Sequence, residues 1–290
     1  MKTVSDEFAV LPGRLYVVAT PIGNLADLTP RAQKVLAGVN VIAAEDTRHT
    51  SQLLQAAGIR TPLVSMHEHN EARRSAELVE RLLAGESIAI VSDAGTPLIS
   101  DPGFDVVAAA RSRAIEVIAI PGACAAIAAL SIAGLPSDRF AFEGFLPAKN
   151  SARASALQAL AQEPRTMIFY EAPHRLAETL GEMQRQFGGE RLATVARELT
   201  KRYESSYFGT LTELSARAAN DADMSRGEIV VIVAGYAGTA QESSTMNANQ
   251  VLRALLEDLP PSQAAKIAAR LTNAKRSELY ERAMEISGKK

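Results

Sequence analysis

The chain contains no tryptophan and a single cysteine, Cys124, among its 290 residues. One cysteine forms no intramolecular disulfide and builds no multi-cysteine zinc site, so a reducing cytoplasm is the expected compartment. Neither sign of charge is in excess. The 31 basic and 33 acidic residues leave a net charge of −2, which excludes a protein held to nucleic acid by bulk charge and confines any polyanion site to a local patch. No Gly-x-Gly occurs, so the dinucleotide fingerprint is missing, and there is no Gly-x-x-x-x-Gly-Lys phosphate loop. Met1 to Gly13 includes Asp6 and Glu7 and lacks a continuous apolar stretch, so no signal peptide is expected. The longest uncharged run, Val117 to Ser137, is broken by Pro121-Gly122 and reads as strand, turn and Ala-rich helix rather than a membrane span. His67-Glu68-His69 offers at most a weak metal pair with no further Cys or His nearby, and no metal is expected.

What is present reads as a globular α/β protein. Apolar residues make up 47% and charged residues 22%, and the length predicts two folded units at roughly 150 residues each. Short β-branched runs at Arg14 to Ala19, Val39 to Ala44, Pro62 to Met66, Ser87 to Ser92 and Ala114 to Ile120 predict strands buried on both faces. Helical periodicity separates them at Pro30 to Leu36, Thr47 to Ala57, Ala72 to Ala84 and Phe104 to Arg113. This alternation predicts a mostly parallel sheet over residues 14–135.

A second alternating set covers residues 136–235. Strands are expected at Phe140 to Phe145, Thr166 to Tyr170, Ala193 to Arg197, Tyr203 to Phe208 and Glu228 to Ala234, with helices at Ala152 to Ala161 and Arg175 to Phe187. The Tyr203 strand follows its neighbour too closely for a helical crossover, which predicts a mixed sheet. The small and polar residues 236–246 read as a flexible linker. Residues 247–290 predict three amphipathic helices, Asn249 to Asp258, Ser262 to Leu271 and Lys275 to Ile286, with Ser262 as an N-cap. This helix-turn-helix-like tail has eight basic and five acidic residues, a net +3. It reads equally as a nucleic-acid contact or as a capping bundle.

Chemistry concentrates in loops at the carboxyl ends of expected strands, where open α/β sheets bind ligands. The first is Thr20-Pro21-Ile22-Gly23-Asn24-Leu25 and the second is Ala43-Ala44-Glu45-Asp46-Thr47-Arg48. The third, Ser92-Asp93-Ala94-Gly95-Thr96-Pro97-Leu98-Ile99-Ser100-Asp101-Pro102-Gly103, is the longest, and the fourth is Pro121-Gly122-Ala123-Cys124-Ala125. Together they predict a pocket lined largely by main-chain amides. From the second half come Tyr170-Glu171-Ala172-Pro173-His174-Arg175 and Arg197-Glu198-Leu199-Thr200-Lys201. Arg175, Arg197, Lys201 and Arg202 are candidate phosphate-facing cations.

These ordered motifs resemble the family of small-subunit ribosomal RNA methyltransferases I, within the tetrapyrrole methylase superfamily, over residues 14–235. The tail is similar to the helix-turn-helix-like end of that family. The resemblance implies two α/β domains with a cleft between them, S-adenosylmethionine as methyl donor, a cytidine 2′-hydroxyl in the decoding centre of 16S rRNA of the 30S subunit as acceptor, and a homodimer. It further implies donor contacts from Pro21, Gly23, Asp93, Ala94, Gly95, Thr96, Ile99, Ser100, Cys124, Ala125, Tyr170, Glu171 and Ala172. Cys124 stands where relatives often have Ser or Thr.

Methyl transfer from a sulfonium is an in-line displacement that gains mainly from alignment, with a proton acceptor adding about 10²- to 10⁴-fold. Glu45, Asp46 and His174 are the candidate proton acceptors, and Arg48, Arg175 and Lys201 the candidate charge stabilisers. Asp46 also suits a helix N-cap. Two other readings stay open, a methylase of the same fold acting on a small molecule such as a tetrapyrrole, and a catalytically inactive RNA-binding assembly factor.

Overall fold

The computed structural model describes residues 9–67, 70–237, 240–272 and 274–287. The first half alternates β1 (Leu15–Val18), α1 (Pro30–Gly38), β2 (Val41–Ala44), α2 (Thr47–Ala56), β3 (Leu63–Ser65), α3 (Glu71–Leu83), β4 (Ile88–Val91), α4 (Phe104–Ser112) and β5 (Val117–Ile120). Local chemistry fixes the helix starts. Thr29 Oγ1 accepts from the Ala32 amide ahead of Pro30, and Asp46 accepts from the Arg48 amide at the start of α2. The strands order as β3-β2-β4-β1-β5, and every pairing is parallel. Central strands β2 and β4 are fully buried, whereas β3 and β5 are only partly so. The expectation of burial on both faces therefore fails at the two edges, where a strand lacks one neighbour.

The helix after β5, α5 (Ala125–Ile132), leaves its own sheet. Ala126, Ala129 and Leu130 pack against Ile168, Ala196, Val230 and Ile232 of the second sheet. That sheet comprises β6 (Phe140–Phe145), β7 (Thr166–Glu171), β8 (Leu192–Arg197), β9 (Ser205–Thr210) and β10 (Ile229–Val233), interleaved with α6 (Asn150–Ala159), α7 (Leu176–Phe187) and α8 (Leu211–Asn220). Its order is β6-β7-β10-β8-β9, with β6 parallel to β7 and the other pairings antiparallel. The expected mixed sheet is thus present, and β8 and β9 form its hairpin. Helix α8 is an addition. It opens on a reciprocal capping box between Thr210 and Glu213.

Residues from Gly235 onward, with 161–164, form a second compact unit. It carries α9 (Ala240–Asp258), α10 (Pro261–Thr272) and α11 (Arg276–Ile286) around a small core of Ala248, Leu252, Ala264, Ala265, Ala268, Leu279 and Ala283. Helix α9 starts nine residues before the expected Asn249, inside the stretch read as a linker. Beyond Thr239 that stretch has neither Gly nor Pro, and its Ala, Gln, Glu and Met residues are adequate helix formers. Helix α10 starts at Pro261, so Ser262 lies in the first turn instead of capping it. Among the described residues no helix is long and apolar enough to cross a membrane.

Candidate active site

The carboxyl ends of β1, β2, β4 and β5 open onto one cavity of about 470 Å³. Ile22, Glu45, Asp93 to Thr96, Ile99 to Asp101, Cys124 and Ala125 form one wall. Phe145, Tyr170 to Pro173, Leu199 and Gly227 to Val230 form the other. The volume lies in the range of small-molecule sites.

Main-chain bonds sew the first wall together. Thr20 N–H donates to Gly95 O at 2.8 Å, and Gly95 N–H returns a bond to Thr20 O at 3.2 Å. Thr96 Oγ1 donates to Ala123 O at 3.0 Å, tying the third loop to the fourth. At the exit of the third loop, Glu71 Oε1 on α3 accepts from the amides of Gly103 and Asp105. Leu98 and Ser100 sit in the left-handed region at φ 73° and 66°. Such conformations cost about 1–3 kcal/mol each and persist where the surroundings fix them, as these bonds do.

The floor is acidic. Asp93 Oδ1 accepts from the Asp46 amide at 3.0 Å. Burial, then the charges of Asp101 and Asp93, hold Glu45 above its usual proton affinity. Asp101 is raised by burial and by Asp93, against an opposing hydrogen bond from Ser92.

The second wall is aromatic and rigid. Tyr170 is pushed up to about 12 by burial and by Cys124, and its hydroxyl accepts from the Ala126 amide at 3.3 Å. Phe142 and Phe145 meet its ring edge-on at centroid distances of 5.0 and 5.5 Å. Glu171 is only 3% exposed and accepts from Thr179 Oγ1 at 2.5 Å and from the Ala172 amide at 2.8 Å. Its carboxylate therefore shapes the turn into Ala172 and Pro173.

Of the residues expected to hold a donor, Asp93, Ala94, Gly95, Thr96, Ile99, Ser100, Cys124, Ala125, Tyr170, Glu171 and Ala172 line this cavity. Pro21 and Gly23 instead line a smaller hollow with His49 and Leu53 that shares only Asp93 with it. Of the catalytic candidates, Glu45 alone lines the cavity. Asp46 is committed to capping α2 and to an ion pair with Arg48 at 3.3 Å. His174 is exposed in a 3-10 turn outside the lining.

Most of the cations expected to face phosphate are engaged internally. Lys201 Nζ lies 2.9 Å from Glu198 and 3.2 Å from Glu228, and its stem covers Gly23, where a Cβ would overlap it. Arg175 pairs with Glu171 at 3.4 Å and donates to the Leu146 and Pro147 carbonyls. Arg197 donates to Ser205 and to the Arg226 carbonyl. Arg202 is exposed, with its guanidinium 5.6 Å from the centroid of the Tyr203 ring. Glu68 and His69 of the weak metal pair lie outside the described residues.

Sequence reasoning missed Ile22, Asp101, Phe145, Pro173, Leu199 and Gly227 to Val230 as lining residues. Ile22, Asp101 and Pro173 lay within loops already singled out, so strand-end position was signal enough. The amino end of β10 carried no such signal, because an antiparallel strand brings its beginning to the rim where its neighbours end.

A profile of tetrapyrrole (corrin/porphyrin) methylases matches residues 14–215, and one described as the RsmI C-terminal HTH domain matches 242–287. The chain is 54% identical over 278 residues to ribosomal RNA small subunit methyltransferase I of Pseudomonas aeruginosa, covering 96% of this chain and 99% of that one. To the protein of the same name from Xylella fastidiosa it is 56% identical over 270 residues, covering 93% and 98%. Among solved structures, uroporphyrin-III C-methyltransferase of Thermus thermophilus, complexed with S-adenosylhomocysteine, superposes with a TM-score of 0.52 at 17% identity, covering 76% of this chain and 97% of that one.

Proposed function

The chain belongs to the tetrapyrrole (corrin/porphyrin) methylase family, and from that premise we propose that it is the S-adenosylmethionine-dependent enzyme that methylates a cytidine 2′-hydroxyl in the decoding centre of 16S rRNA. Near full-length identity to proteins named as small-subunit rRNA methyltransferases supports the rRNA substrate over a tetrapyrrole. The observation that carries the reading is the shared cavity, where Gly/Pro loops of one sheet face the aromatic wall of the other.

The residues present fit the donor. The main chain of Ala94 to Thr96 and the start of α5 at Ala125 offer hydrogen-bonding groups beside an apolar lining, and the carboxylates of Glu45, Asp93 and Asp101 suit a cationic ligand. Bound there, S-adenosylmethionine supplies an electrophilic methyl group on a positively charged sulfur. The chain aligns and shields. Its two walls would hold the acceptor oxygen in line with the methyl group that the donor would supply and would exclude water, and Glu45 would take the hydroxyl proton from that oxygen. Asp101 assists by raising the proton affinity of Glu45. Tyr170 stays protonated and anchors the start of α5.

The 30S subunit as substrate, the homodimer and the cytoplasmic location belong to the same proposal. Incubating the protein with labelled donor and 30S subunits lacking the modification, then mapping the labelled nucleotide, tests it. The expected outcome is one 2′-O-methylated cytidine. Methyl incorporation into a tetrapyrrole instead would assign the sister activity, and donor binding without transfer would assign an inactive assembly factor.

A further inference from the structure

We infer that Phe145 is the platform on which the base of the acceptor nucleotide stacks, an assignment that rests on the RNA-methylating reading above. Strand β6 pairs with β7 through Phe140–Thr166, Ala141–Met167 and Phe142–Ile168, then shifts register so that Gly144 opposes Phe169 and Phe145 opposes Tyr170. Strict alternation would place Phe140 and Phe142 on one face of the sheet and Phe145 on the other. The extra residue reverses that parity, bringing Phe145 onto the face of Ile168 and Tyr170, towards the cavity it lines. Gly144 makes the bulge possible at φ +64°, and a Cβ there would meet Ser100 Oγ of the third loop at 3.3 Å.

The resulting ring is held from behind and bare in front. Tyr170 packs edge-on against it at 5.5 Å and is itself pinned by the Ala126 amide. Phe145 is nevertheless 57% exposed, although it lines the cavity. It lies on an edge strand, so a polynucleotide meets no further strand on that side. A nucleotide splayed out of its stack to bring its ribose into the cavity loses its stacking partners, and an aromatic face at the entrance replaces the stacking it loses. Base–aromatic stacking requires no particular base, so Phe145 supplies affinity and positioning rather than the choice of cytidine.

The same face could instead meet the adenine of the donor, and the two sources separate experimentally. Phe145→Ala is expected to raise the KM for 30S subunits roughly 5- to 150-fold while the donor Kd by calorimetry stays within about twofold of wild type. Phe145→Tyr, which keeps the ring, recovers most of the acceptor affinity, and Phe145→Leu, which keeps apolar bulk without a flat face, does not. A weakened donor Kd with unchanged acceptor KM would move Phe145 into the donor site and overturn the assignment. So would full rescue by Leu, or equal KM values in all four proteins. Wild-type protein that binds donor but leaves the subunit unmodified would overturn the functional reading instead.

Discussion

Glu45 and Asp101 bind protons more tightly in the fold than in the unfolded chain, chiefly because burial disfavours their charged forms. Their contribution to stability is fully present below the unfolded carboxylate range, about pH 4, and is lost as the pH rises through the raised folded values. Asp101→Asn is therefore expected to raise Tm near neutral pH and to change it little in acid. Thermal melts over a pH series check this, and a uniform offset at every pH would contradict it. Glu198 has the opposite sense. Its carboxyl is lowered, with burial opposed by the Glu228 amide and Lys201, so its increment is present above the unfolded range and lost as the pH falls through the folded value. Removing the amine should expose Glu198 and Glu228 to each other. Lys201→Met is expected to cost about 1–3 kcal/mol in chemical denaturation, and Lys201→Ala more, since Met keeps the stem over Gly23. The sequence placed Lys201 and Arg175 correctly at strand ends, but residue type could not tell that nearby carboxylates and carbonyls would occupy them.

Elements were legible where period and punctuation agreed. The five strands of the first sheet and the helices between them follow from β-branched runs set against helical spacing, and the short gap before β9 foretold the hairpin. Helix α8 went unread although Thr210, Glu213 and the following Leu214 form a capping signature, because the adjoining strand pattern drew the eye past it. Thr210→Ala should cost about 0.5–2 kcal/mol by denaturant titration, and Thr210→Ser should restore most of that. The β6 bulge was invisible for a different reason: alternation in a single sequence does not reveal that the partner strand advances one residue fewer. The early start of α9 shows the converse error, with small polar composition mistaken for a break although no Gly or Pro follows Gly238 in that stretch to enforce one.

At the scale of the molecule, every lining residue of the cavity precedes Val231, and the tail of three helices forms a separate compact unit. A chain ending at Ala234 is expected to keep its donor Kd within about threefold while binding 30S subunits more weakly and with a shallower dependence on salt, since the removed residues 235–290, with eight basic and six acidic side chains, carry a net +2. Filter binding over a salt series reads the slope, and an unchanged slope would mean that the tail touches no phosphate. The cleft was foreseeable from loops clustered at strand ends, and Tyr170, Glu171 and Ala172 of its second wall were expected there, but the part of that wall supplied by the start of β10 was not. The crossing of α5 has an evolutionary corollary. A break in the gene just before Ala125 would hand the greasy helix to the downstream fragment and leave the upstream one with a mouth missing its rim. A break just after Ile132 would strip the downstream sheet of its cover. Either break costs one half a part of its own structure, so the two halves are expected to be inherited together.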